Sequence, residues 1–194
     1  MFTRFLFAAV PALASTALLA SAALAEDSAS TQFTVTGTAT KVCVLPPPVT
    51  TGTASNATFA SNAITITQFI DPSTALVTPS SLSLQFPNTL CNYPAKVSLQ
   101  SRNGGLVSSG ASAVANGSGA FLQNVPYKVS ATWGTFSLAL DTTSSKGATV
   151  TASNDTAGAT SGNLTLTIAT EPSLLPVPQG TYQDTLLLKI GAPM

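Results

Sequence analysis

Histidine is absent from this 194-residue chain, and charge is scarce, with seven Lys or Arg side chains against seven Asp or Glu. Without histidine, Ser-His-Asp catalysis, Cys-His catalysis and most zinc sites are excluded. The few cations cannot supply the basic surface with which nucleic-acid-binding proteins displace counterions. Apolar residues make up 44% of the chain, unlike a disordered chain, which is poor in apolar residues and rich in charge. The composition therefore indicates a compact protein with little charge.

Sequence motifs for catalysis or cofactor binding are also missing. The chain has no G-x-G-x-x-G or G-x-x-x-x-G-K loop to hold phosphates and no G-x-S-x-G turn to present a nucleophilic serine. Its seven carboxylates are spread along the sequence, and no pair among them has the pattern of an acid and a base. We therefore expect neither an enzyme nor a protein with a cofactor or a metal.

The first 25 residues have the organisation of a secretory signal peptide. Arg4 supplies a positive charge, an apolar stretch follows, and Ala23-Leu24-Ala25 is a small-residue cleavage site before Glu26. Cleavage there leaves about 169 residues, enough for one domain with a core. No later segment approaches the ~20 apolar residues of a membrane span. We expect an exported protein.

Cys43 and Cys91 are the two cysteines of the chain. An exported protein enters an oxidising compartment, where two cysteines allow one intramolecular disulfide. A redox or metal site is the alternative, but the cysteines are not in a C-x-x-C arrangement and no histidine is available. We predict a structural disulfide, which closes a loop of about 48 residues and stabilises the fold by up to about 4 kcal/mol.

Alternation of apolar and polar residues is the main pattern after residue 26. Period 2 with many β-branched residues predicts short strands, and turn residues separate them, which is typical of a β-sandwich. The predicted strands are 32–45, 63–67, 81–86, 96–99, one or two within 127–140, 148–153, 163–168 and 181–190. We expect polar loops at 49–62 and 108–120, and a proline-containing extended connector at 171–180.

The first predicted strand allows two interpretations. Its apolar face carries Phe33, Val35, Gly37 and Ala39. The segment could be the first strand of its own sandwich, or it could leave the domain and add to the sheet edge of a neighbouring subunit. Gly37 weakens an ordinary strand but suits a position where another backbone or a bulky side chain approaches closely. A strand passed head to tail generates an open filament, because the contact does not close.

Several segments of the chain, and the order in which they follow one another, resemble the chaperone–usher pilins, particularly the archaic branch and its spore coat protein U-like subunits. The most specific match is the proline–glycine–Tyr–Asp entry into the last strand. The matching segments are the signal peptide followed by 31–40 and Cys43, then Cys91 before 96–99 and the turn at 103–106, then 125–129, and finally 177–186. The chain departs from the family in ending on Gly191-Ala192-Pro193-Met194 and in its Pro46–Pro48 run.

The resemblance implies an all-β fold with a single immunoglobulin-like sandwich that lacks one strand. It divides the chain into a cleaved signal at 1–25, a donor-strand segment at 26–41 and a pilin-like domain at 42–194. Phe33, Val35, Gly37 and Ala39 would insert into a neighbour, with Tyr182, Leu186, Leu188 and Ile190 on the last strand beside the groove. The implied partners are identical or related pilin subunits, a periplasmic chaperone and an outer-membrane usher. The product would be a surface fibre serving adhesion, biofilm or coat formation.

A self-contained secreted sandwich that binds a carbohydrate or a surface ligand is the alternative. In that case residues 32–40 fold into their own domain, and Tyr127 and Trp133 could form a platform on which a sugar stacks. The other interpretation of Trp133 is a core residue of the sandwich. The two functions differ in whether residues 29–41 are used within their own domain or by a neighbour.

Overall fold

The computed structural model describes residues 30–109, 120–145 and 147–192. These residues form fourteen β-strands, and no helix occurs among them. Every strand pairing is antiparallel, which confirms the all-β class expected from the alternating pattern. The predicted signal peptide at 1–25 and most of the predicted loop at 108–120 lie outside the described residues.

The larger sheet has six strands in the order β1-β5-β12-β9-β10, with β2 also pairing with β5. Its strands are β1 (Cys43–Val44), β2 (Val49–Ser55), β5 (Ser80–Cys91), β9 (Tyr127–Trp133), β10 (Phe136–Asp141) and β12 (Thr160–Thr170). Gly134 lies in the two-residue connection between β9 and β10 with a φ of 59°, in the left-handed region that favours glycine.

A three-stranded sheet has the order β11-β6-β14, and two small sheets complete the domain. The three strands are β6 (Lys96–Ser101), β11 (Val150–Asp155) and β14 (Leu186–Gly191). One small sheet combines β7 (Leu106–Ser109), β8 (Asn124–Val125) and β13 (Thr181–Gln183), and the other is the hairpin of β3 (Ala57–Ala60) and β4 (Ala63–Ile66).

One apolar core joins the six-stranded and three-stranded sheets. Strict burial alternation along β9 and β6 shows that each turns one face inward. Trp133 is fully buried in this core, among side chains from β5, β6, β9, β10 and β12. Two antiparallel sheets that enclose a common core are consistent with the predicted β-sandwich.

Several predicted boundaries are wrong. Residues 49–62 were expected to be a polar loop, but they contain β2 and β3 and the turn into β4. Strand β5 does not end at Pro87. It continues to Cys91 through a bulge, where Asn88 adopts a φ of 54° and its backbone N–H donates to Asn163 Oδ1 (3.2 Å). The last predicted strand is divided into β13 and β14 by Asp184 and Thr185.

The chain divides into two units, Met1–Thr38 and Ala39–Met194. In the first unit, the described residues 30–38 belong to no strand and all are exposed. Phe33 is 83% exposed and Val35 is 94% exposed. The alternating segment 32–40 therefore does not form a β-ladder in the single chain, although its pattern predicts a strand. A strand needs a partner to satisfy its backbone groups.

Candidate strand-binding groove

An apolar groove of about 710 Å³ runs along the second unit. Its floor is the inner face of the large sheet at one end of the sandwich, where Leu82, Leu84 and Phe86 of β5 lie beside Leu166 and Ile168 of β12. These side chains belong to the main core or pack against it. The groove therefore gives access to the apolar interior of the sandwich, which a finished domain normally covers.

Strand β14 forms one wall of the groove. Leu186 and Leu188 line the groove and pack against the core, and Leu187, which is 39% exposed, contributes to its rim. On one side β14 pairs with β6 along its full length, from Leu186 to Gly191. Among the described residues no strand pairs with its other side. An unpaired edge of this kind presents backbone N–H and C=O groups that can accept another strand.

The β3–β4 hairpin forms another wall of the groove. Phe59, Ile64 and Ile66 line the groove, and Ile64 is 39% exposed. Ser61 and Asn62 form the two-residue turn with φ values of 51° and 60°. Positive φ at both turn residues is the geometry whose twist matches that of the flanking strands, and asparagine adopts it readily.

Asn56 anchors this hairpin to the rest of the domain. Its Nδ2 donates to the carbonyl oxygens of Gln68 (2.8 Å) and Pro79 (3.2 Å). The backbone N–H of Gln68 donates to Asn56 Oδ1 (2.7 Å), and the N–H of Thr67 donates to the Asn56 carbonyl (3.1 Å). These bonds fix the base of the hairpin, and the packing of Ala57 and Phe59 in the main core holds its apolar side in place.

A polar cluster around Asp184 lines the end of the groove where β14 begins. The Tyr127 hydroxyl donates to Asp184 Oδ2 (2.7 Å), and Ser101 Oγ donates to the same oxygen. The backbone N–H groups of Asn103 (2.8 Å) and Thr185 (2.7 Å) donate to Oδ1. Burial raises the pKa of Tyr127 above its usual value, and the Asp184 carboxylate raises it further, so the hydroxyl keeps its proton as a donor.

The structure separates the four residues predicted on the last strand. Leu186 and Leu188 line the groove, as the resemblance implies. Ile190 packs against the main core beyond the groove lining. Tyr182 lies on β13 and packs in a second small core, with its ring centroid 5.0 Å from that of Phe69. The division of the predicted strand at Asp184 is the reason for this separation.

Tyr127 and Trp133 do not lie on the surface. Trp133 is fully buried and Tyr127 is 5% exposed, with its hydroxyl directed to Asp184. Their ring faces are packed in the core. A sugar needs an exposed ring face on which to stack, so this pair does not form the platform that the alternative function would use. Trp133 is a core residue.

The disulfide lies at the other end of the sandwich, where the chain enters the domain. Cys43 and Cys91 form the predicted bond and pair across β1 and β5, with a Cα–Cα distance of 4.2 Å. Asn92 holds the preceding residues: its Nδ2 donates to the Thr40 carbonyl (2.7 Å) and its Oδ1 accepts from the Val42 N–H (2.8 Å). We call this the Cys43 end and the opposite one the Asp184 end.

Strand β4 lies within the predicted strand 63–67, but its partner β3 and the place of the β3–β4 hairpin in the groove were not predicted from the sequence. The low-complexity stretch before residue 63 was interpreted as a loop, although Phe59, Ile64 and Ile66 alternate with Thr58 and Thr65 on either side of Ser61-Asn62. That arrangement of an asparagine turn between two alternating runs is a hairpin signal. Asn56, the anchor, carried no signal of its own because its partners lie up to 23 positions away.

Other kinds of site find no support in the described part of the chain. No group of three or more His, Cys, Asp or Glu side chains there could hold a metal ion. Within the same residues, no helix has the length and hydropathy needed to cross a membrane. The chain matches no protein-family model, no curated protein and no solved structure.

Proposed function

We propose that this chain is a structural subunit of a surface fibre, polymerised by donation of residues 26–41 of one subunit to the groove of the next. The observation that carries the proposal is the groove itself: an unpaired β14 edge beside an opening of about 710 Å³ into the core. The same chain has an alternating segment whose Phe33 and Val35 are exposed. Among the described residues, β14 has no partner on its outer edge and residues 30–38 belong to no strand, so the segment and the edge could pair between subunits.

The chemistry of the segment matches that of the groove. One face of the segment presents Phe33, Val35, Gly37 and Ala39, and the other is entirely polar. Inserted beside β14, the apolar face would turn toward the floor while the backbone pairs with the free edge. The nine residues 32–40 span roughly 30 Å in β conformation. They are therefore long enough to pair with all six residues of β14. Antiparallel pairing would agree with every other ladder of the domain.

Insertion of each segment into a neighbour gives a head-to-tail polymer. Because the donating segment and the accepting groove are different surfaces, the contact does not close on itself. Before assembly the open groove exposes apolar surface, which calls for a protecting partner. A periplasmic chaperone and an outer-membrane usher fill that role in the family that the sequence resembles. The route would run from export through the periplasm to the cell surface, and the fibre would serve adhesion, biofilm or coat formation.

Substitution of the inserting face tests the proposal. We expect Phe33→Thr combined with Val35→Thr to abolish detergent-resistant multimers, because two large apolar side chains no longer fill the groove. Both side chains are exposed in the single chain, so the melting temperature of the monomer should stay unchanged. Thr34→Ser combined with Thr36→Ser changes the polar face of the same segment and should leave the multimers intact.

The opposite pattern would reject the proposal. If the segment were a core strand of its own domain, loss of two large buried side chains would lower the free energy of unfolding by several kcal/mol. A destabilised monomer, or multimers that persist in the double variant, would show that the segment is not donated to a neighbour.

A further inference from the structure

The Asp184 end of the sandwich carries a second small core built from three loops. Val77 lies in the segment 67–79, Val177 in the segment 171–180, and Val125 on β8 directly after the segment 120–123, and all three are buried. Backbone groups tie the loops together: Val77 N–H donates to Ser173 Oγ (2.8 Å), Val177 N–H to the Ala75 carbonyl (3.0 Å), and Leu122 N–H to the Pro176 carbonyl (2.9 Å). These bonds hold the loops as an ordered surface at this end of the domain.

The outer side of this small core exposes large apolar side chains. Leu174 is 97% exposed, which is extreme for a leucine in an ordered loop. Ile70, Phe121 and Leu175 are exposed on the same three loops. We call Ile70, Phe121, Leu174 and Leu175 the apolar cap. Exposed apolar side chains that are grouped on one surface indicate an interaction site.

The length of chain between the donated segment and its own domain identifies what covers the cap. Ala39 is the last residue of the inserting face, and Thr40 and Val42 are already bound to Asn92 of the donor's domain. The Thr40 carbonyl that Asn92 binds belongs to the residue directly after Ala39, and one residue spans at most ~3.6 Å. The domain that donates the segment must therefore lie directly against the domain that accepts it.

The direction of the inserted strand determines which end of the accepting domain lies against the donating domain. β14 starts at the Asp184 end and finishes at the Cys43 end, since Leu186 pairs with Ser101 and Gly191 with Lys96. A donated strand antiparallel to β14 enters at the Cys43 end of the acceptor, and its Ala39 emerges at the Asp184 end. The acceptor's apolar cap then faces the Cys43 end of the donor's domain, where Val42, Val44 and Leu90 are exposed.

We propose that the apolar cap is a docking surface for a second copy of this chain, which it contacts through the patch of Val42, Val44 and Leu90. This inference rests on the proposed function. Both surfaces are apolar, and Val44 and Leu90 are paired neighbours on β1 and β5. The contact adds a second interface beside each inserted strand, and it fixes the angle between successive subunits, so the fibre is stiff.

Photo-crosslinking in assembled fibres tests the contact. The photoreactive residue p-benzoyl-phenylalanine replaces Leu174, and in a control it replaces Val49, which is also exposed but lies on β2, paired with Gln85 of β5 and outside the apolar cap. After irradiation and boiling, we expect covalent dimers from the position-174 fibres only. Mass spectrometry of proteolytic fragments should place the attachment within residues 40–45 or 90–94 of a second copy.

A second measurement uses the Leu174→Ser variant, with Val49→Ser as its control. We expect detergent-resistant multimers of both variants, because the groove is unchanged. Electron micrographs should show fibres of Leu174→Ser with a persistence length at least two-fold shorter, and fibres of Val49→Ser with the wild-type value.

The outcomes separate the two proposals. Fibres without a position-174 crosslink to the Cys43 end, or with unchanged stiffness in Leu174→Ser, overturn the docking surface and leave strand donation standing. The same holds if Leu174→Ser fibres keep their stiffness and lose attachment to cells or sugars, because the cap would then bind an external ligand. Absence of detergent-resistant multimers in the wild type would instead overturn strand donation itself.

Discussion

Asp184 is the residue in which the polar and apolar parts of the site meet. In the alternating pattern of residues 181–190, Asp184 falls on the same row as Leu186 and Leu188. Its carboxylate instead accepts bonds from Tyr127, Ser101 and two backbone N–H groups. These donors compensate the half-buried carboxylate for the hydration that it loses. The cluster fixes the point at which the chain leaves β13 and enters β14, and so it fixes the end of the groove.

Removal of the tyrosine hydroxyl should weaken this cluster measurably. We expect Tyr127→Phe to lower the free energy of unfolding by about 2 kcal/mol, because hydrogen bonds to charged groups contribute about 1.5–3 kcal/mol. For a domain of this size that corresponds to a fall of about 4–8 °C in melting temperature. Thermal unfolding followed by circular dichroism provides the measurement.

Tyr182→Phe is the matched control. The Tyr182 hydroxyl donates to an uncharged acceptor, the Pro178 carbonyl (2.9 Å), at the second small core. Its loss should cost about 1 kcal/mol, or about 2–4 °C. Equal melting temperatures for the two variants would contradict a special role for the bond to Asp184.

Among the elements, β14 and the donor segment share one pattern with different outcomes. Both have an apolar residue at every second position, but β14 has β6 beside it, whereas residues 30–38 belong to no strand in the single chain. Periodicity records which face can be buried and not which chain buries it. The sequence could therefore identify the segment and leave open whether its own domain or a neighbour uses it.

The extent to which each element could be predicted follows from its local pattern. Strands β6, β9 and β12 were identified because their alternation is regular. The end of β5 was misplaced because Pro87 is usually a strand terminator, and a bulge opposite Asn163 accommodates it here. The Asp184 cluster could not be predicted, since its members are up to 83 residues apart and the bonds depend on the tertiary fold.

The β3–β4 hairpin leads to a prediction about the strength of subunit linkage. Ile64 lines the groove and is partly exposed until a strand covers it. Ile64→Ser should lower the free energy gained by burying apolar surface on strand insertion by about 1 kcal/mol. Detergent-resistant multimers would then dissociate about five-fold faster at a fixed temperature. Densitometry of gel bands after timed incubation measures this rate.

Thr65→Ser serves as the control for the hairpin variant. Thr65 is an exposed neighbour of Ile64 on the same strand and is not part of the groove lining. Its multimers should dissociate at the wild-type rate, and neither variant should change the melting temperature of the monomer. If Ile64→Ser dissociated no faster than Thr65→Ser, the hairpin would not be a wall of the strand-binding site.

At the scale of the whole molecule, the two ends of the sandwich differ in the structural features that they carry. The Cys43 end holds the disulfide and the Asn92 contacts that anchor the start of the domain. The Asp184 end holds the polar cluster and the apolar cap. In the proposed head-to-tail polymer, the Asp184 end of one subunit would lie against the Cys43 end of the next. Low net charge is compatible with such an assembly, because identical subunits then do not repel each other strongly.

The most direct test of strand donation is a denaturing gel of the mature protein recovered from the cell surface, loaded with and without boiling. An inserted strand that seals the core of its neighbour should dissociate very slowly, so the contact resists detergent and fails on heating. We expect a regular ladder of multimers in the unheated lane and a single band in the boiled lane. A single monomer band in both lanes would contradict the account and show that the domain is complete without a neighbour.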